Sequence, residues 1–187
     1  DVAKETLGKD DGSGVKKLDA GSASILASTL QNADKAAELK EVMEVSADLG
    51  LQDSASLSSV FANADKAADL KAVMDVAKET LGKDDGTGVK KLDAGSASIL
   101  ASTLQNADKA ADLREVMTVA SEAGAQDATN LTNVFKNADK ASDLKDVVNK
   151  AKDSGATGSL TNILQKPEDA TKFKKVTDQL DSVGLEG

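Results

Sequence analysis

The chain has 187 residues, a formal net charge of −9 and 40% hydrophobic residues, enough length and apolar content to bury a core. A balance of 32 acidic against 23 basic side chains opposes a nucleic-acid partner or an anionic membrane surface, since both need a basic face. His, Cys and Tyr are absent, which removes disulfides, thiolate metal sites and most ordinary general bases and nucleophiles.

Internal repetition organises the rest. Residues 1–39 match 75–113 with two changes, Ser13 against Thr87 and Glu38 against Asp112, so the long period is 74 residues. Residues 50–74 match 124–148 more weakly. Within the long period runs a hexapeptide, NADKAA, beginning at 32, 63 and 106, with NADKAS at 137 and KPEDAT at 166. The spacings of 31, 43, 31 and 29 define a unit of about 31 residues, one copy of which carries a 12-residue insertion.

In chain order, residues 1–7 (DVAKETL) read as the end of a preceding helix, because the same residues close a helical stripe at 75–81. Asp1 therefore falls inside a repeat, and the chain reads as part of something longer. An insertion at 8–18 leads into a first unit over about 19–50, with second-helix stripe positions Ala36, Leu39, Val42, Met43 and Ser46. The second unit, 51–82, opens on a short helix with Asp53 as N-cap and Leu57, Val60 and Phe61 as its stripe. It continues with Ala67, Leu70, Val73, Met74, Ala77 and Leu81, one face of a 3.6-residue period.

A second insertion, 83–92, precedes the third unit, 93–124, where Asp93 is the expected cap and Leu100, Leu104, Ala110, Leu113, Val116, Met117 and Ala120 the expected core. The fourth unit, 125–155, places Leu131, Val134 and Phe135 on its first helix, then Ala141, Leu144, Val147, Val148 and Ala151. The fifth, 156–184, uses Leu160, Ile163 and Leu164, then Ala170, Phe173, Val176, Thr177 and Leu180. Gly50, Gly82, Gly124, Gly155 and Gly184 close the second helices and are expected to take the left-handed C′ conformation.

The hexapeptide marks the start of each second helix. Its Asn is expected to cap the free N–H groups of the first turn, and its Asp to complement the positive end of the helix dipole. In KPEDAT the second residue is Pro167, favoured at a first helical position, and Glu168 keeps the acid. Met43, Met74 and Met117 fall at equivalent core positions, and KFKKV at 172–176 reads as a solvated helix face.

The insertions, GKDDGSGVKKLDAGS at 8–22 and GKDDGTGVKKLDAGS at 82–96, read as exposed turns. Their density of Asp and Gly makes calcium the one cofactor to consider, with Asp10, Asp11, Asp84 and Asp85 as oxygen ligands. The spacing does not match an EF-hand loop, and no closing Glu is present. No catalytic or cofactor-binding residue is assigned.

The expected fold is all-α: an α-solenoid-like array of about five helical hairpins, with a compact helical bundle as the alternative. Tetratricopeptide and HEAT arrays have a similar logic, but their signature residues are absent and their units are longer. The expected role is a non-catalytic structural or spacer segment of a longer repetitive protein, at a cell surface or in a filament. A protein-binding helical-repeat scaffold and a calcium-stabilised, adhesin-like stalk are the alternatives. Expected partners are other proteins or further copies of the chain, with no nucleic acid and no membrane insertion, since no apolar run nears 18 residues. Acidity and the lack of oxidisable Cys and Trp suit an extracellular or cell-surface location.

Overall fold

The computed structural model describes residues 9–10, 12–13, 16–17, 20–49, 51, 54–84, 86, 90–182 and 184. Among them the chain folds into hairpins of two helices. The first helices are α1 (Ala20–Gln31), α3 (Ser54–Ala62), α5 (Ala94–Gln105), α7 (Ala128–Lys136) and α9 (Leu160–Gln165). The second helices are α2 (Ala36–Asp48), α4 (Ala67–Leu81), α6 (Ala110–Glu122), α8 (Ala141–Asp153) and α10 (Ala170–Ser182). Every described hairpin corner is a single 3₁₀ turn.

The hairpins stack in sequence order. Each first helix packs on the next first helix, from α1 on α3 to α7 on α9. Each second helix likewise packs on the next, from α2 on α4 to α8 on α10. The result is an all-helical array of two layers with one continuous core between them. No single helix could bury its stripe alone. Stacked, Leu70, Leu100, Leu104, Leu113, Leu131, Leu144, Leu160 and Leu164 all lose essentially all contact with water, and each such burial contributes about 1.5–3 kcal/mol. Leu57 and Phe61 of α3 form a smaller cluster with Leu26 and Met43, which ties the first hairpin to the second.

The expected stripes hold through α2, α4, α6 and α8, where Leu39, Leu70, Leu113 and Leu144 are buried at equivalent positions. They fail on α10. Val176 is 55% exposed and Leu180 37%, because no further hairpin packs beyond α10 among the described residues. They fail also at Ala36, which is exposed at the other end of the stack.

Three of the five closing glycines behave as expected. Gly124, Gly155 and Gly184 have φ of 67°, 74° and 71°. Around Gly124 the bonds run from Gly124 N to Ser121 O (3.0 Å) and from Ala125 N to Ala120 O (2.8 Å), a Schellman closure. Gly50 lies outside the described residues. Gly82 corrects the expectation: its φ of −68° and ψ of 140° are extended, because α4 runs straight into a strand. Glycine is needed there for room, since a Cβ would stand 2.2 Å from Lys78 O and 2.9 Å from Lys90 Cβ.

The described residues of the insertions are exposed at Gly12, Ser13, Lys83, Asp84 and Gly86, as expected of turns. Among the described residues each insertion also carries a short antiparallel pair, β1 (Lys9–Asp10) with β2 (Lys16–Lys17) and β3 (Lys83–Asp84) with β4 (Lys90–Lys91). Gly86, with φ of 87°, makes the turn of the second, donating its N–H to Asp84 Oδ1 at 2.8 Å.

Candidate interaction surfaces

The hexapeptide is a corner rather than a helix N-cap. Asn63, Asn106 and Asn137 make no side-chain cap bond to the helix that follows. Each turns its amide back and donates to the carbonyl four residues upstream: Ser59 O at 2.9 Å, Ser102 O at 2.8 Å and Asn133 O at 3.0 Å. Those carbonyls belong to the last turn of the preceding helix and also accept the backbone N–H of the same Asn, so the amide is a second donor there. Asn therefore closes the first helix, and its own carbonyl accepts the Lys N–H that closes the 3₁₀ turn, as in Lys66 N to Asn63 O at 2.9 Å. Pro167 opens the equivalent turn in KPEDAT, where it needs no N–H partner. Of the expected first-helix caps, Asp93 accepts from Ser96 N at 2.9 Å, whereas Asp53 lies outside the described residues.

Corners of successive hairpins touch. Ser59 Oγ donates to Gln105 O at 2.9 Å, and Asn133 Nδ2 to Gln165 O at 3.3 Å from the equivalent position two hairpins on. Lys66 Nζ donates to Asp108 O at 2.8 Å, one hexapeptide to the next. The repeated motif thus lines one edge of the stack and joins hairpin to hairpin.

A second ladder runs along the second helices. Lys71, Arg114, Lys145 and Lys174 each stand eight residues past the corner. Each pairs with an acid of the preceding second helix: Glu41 at 3.0 Å, Asp69 at 2.8 Å, Asp112 at 2.6 Å and Asp146 at 2.7 Å. The acids stand six or nine residues past their own corners. Hydrogen bonds to Asp75 and Glu41 push Lys71 up to about 12. Burial pushes the Asp112 carboxyl up, but hydrogen bonds from Lys145 and Ser142 outweigh it and hold it below its ordinary value. These pairs are partly or fully open to water, which screens them, so each contributes little energy. Their regular placement sets the register of one hairpin on the next.

Of the four calcium candidates, Asp11 and Asp85 lie outside the described residues, and of Asp10 only the backbone is described. The Asp84 carboxylate accepts from the Gly86 N–H in its own turn. Asp93 is held by Lys83 and by Ser96, which keep its carboxyl well below the usual range. No group of three His, Cys, Asp or Glu side chains gathers among the described residues.

A groove of about 740 Å³ opens between α8, α9 and α10, floored by Val147, Ala151, Ile163 and Leu180, with Lys150 and Asp181 at its rim. Lys150 bonds Asp181 at 2.5 Å between the two rims. Lys172 and Lys174 of the KFKKV run pair with Asp169 and Asp146, as expected of a solvated helix face. No helix among the described residues is long and apolar enough to cross a membrane. No protein-family model, curated protein or solved structure matches the chain.

Proposed function

We propose that the chain is a non-catalytic structural spacer, a segment of a longer repetitive protein that sets a distance at a cell surface or within a filament. The observation that carries this reading is the sameness of the hairpin junctions. Apolar stripe, corner bond and ion-pair ladder recur from one hairpin to the next. Adding a period then adds length without new chemistry. Two dyes on cysteines introduced at the two ends of the array test it, since the chain has no other thiol. Inserting a copy of residues 32–105 after Gln105 is expected to increase the separation by about 20 Å, two hairpins at 8–10 Å each. An unchanged or shorter separation would remove the spacer reading.

A second reading, a protein-binding scaffold, draws on the groove between α8, α9 and α10. A purified protein partner that binds the chain equally well after Ile163→Asp and Leu180→Asp would argue against that placement.

A further inference from the structure

Identical residues stand in two environments in this chain. Leu30, Ala33 and Ala36 are exposed, Leu30 at 78%, whereas Leu104, Ala107 and Ala110, the same residues one period on, are 0% exposed. The difference is what lies upstream. Helix α3 packs on α5 and on the corner after it, and α4 packs on α6. Charge repeats the comparison. Arg114 pairs with Asp69 of α4 at 2.8 Å, while Lys40, at the same position of α2, is 76% exposed and among the described residues pairs with Glu44 of its own helix at 3.5 Å.

We infer that the exposed face of α1 and α2 is a docking surface for one further helical hairpin of the α3–α4 type. Its second helix would offer Lys40 a carboxylate six residues past its corner, where α4 has Asp69. The chain itself displays the complex: α3 and α4 seated on α5 and α6, where α5 is identical to α1 and α6 keeps the stripe Ala110, Leu113, Val116 and Met117 of α2, with Arg114 in place of Lys40. The far end of a second copy does not fit. On α10 the positions six and nine residues past the corner are Lys172 and Lys175, which would meet Lys40 with like charge. The two end faces of the stack therefore carry like charge at these positions: α2 presents Lys40, and α10 presents Lys172 and Lys175. This inference rests on the spacer reading and names the partner that such a spacer takes.

The test uses Ala36→Cys, a single thiol in a chain without cysteine. In the unextended chain it is expected to alkylate freely, and Ala110→Cys calibrates a covered site. Residues 51–74 are then placed ahead of Asp1, so that the sequence leading into α1 reads as it does leading into α5. The thiol at position 36 is expected to slow at least about tenfold. Adding Lys40→Glu to the extended chain is expected to restore part of the rate, about two- to fivefold, the range of an exposed ion pair. An unchanged alkylation rate in the extended chain overturns the inference, even where inserted periods lengthen the array as the spacer reading requires. So does protection of the unextended chain that grows with its own concentration, which would make a second copy the occupant.

Discussion

Leu104→Ala and Leu30→Ala make the sharpest paired test of the stack. The two leucines lie in the same local sequence, ILASTLQNADKAA, so helix propensity and capping are matched. Leu104 is 0% exposed in the core between α3, α5 and α7, and Leu30 is 78% exposed at the open end. Truncating a fully buried leucine costs about 2–5 kcal/mol, the lost transfer energy plus the cavity left behind. Leu30 keeps only about a fifth of its surface from water, so truncating it should cost roughly 0.3–0.7 kcal/mol. Urea unfolding followed by far-ultraviolet circular dichroism measures both. The expected result is a clearly lowered midpoint for Leu104→Ala and a near-native one for Leu30→Ala. Equal losses would refute the assignment of an open end at α1, and equal small losses would refute the stacked core itself.

Asn106→Asp separates the two readings of the hexapeptide. Asp is as good an N-cap as Asn, but it cannot donate to Ser102 O, so a loss of about 0.5–1.5 kcal/mol is expected and a neutral result would restore the N-cap reading. Gly82→Ala should cost about 1–3 kcal/mol, because the added methyl meets Lys78 O at 2.2 Å; a native-like melting temperature would contradict that close approach. On the acid side, Asp112 and Asp178 have folded values below their ordinary 3.8. Their stabilisation is complete above the unfolded value and is lost as pH falls through the folded one. Urea midpoints should therefore hold from pH 7 to 5 and drop below about pH 4, less steeply in Asp112→Asn. Lys71 has the opposite sign: raised from 10.5 to about 12, its contribution is full below 10.5 and is lost as pH rises through 12.

Hairpin number, order and stripes were legible because near-identical copies align, and the 3.6-residue period repeats in each. The corner was misread for a physical reason. One Asn ends a helix and precedes another, and sequence does not reveal whether its side chain donates backwards or accepts forwards. The short strand pairs escaped notice because only two residues pair on each side, too few for an alternating pattern. The ion-pair ladder could have been found by aligning the units on charge as well as hydropathy, since a Lys or Arg recurs eight residues past every corner. The open end could not, because Leu30 and Leu104 are the same residue in the same words, and only their neighbours differ.

The central claim, that hairpins add end to end, is tested most directly by small-angle scattering on chains carrying zero, one and two inserted copies of residues 32–105. With two copies inserted, a stack of nine hairpins spaced about 10 Å apart should have a radius of gyration of about 28 Å. A compact globule of the same length should give about 20 Å. A value near the first, reached by rising steps with each period, is the result expected; a value near the second would contradict the account.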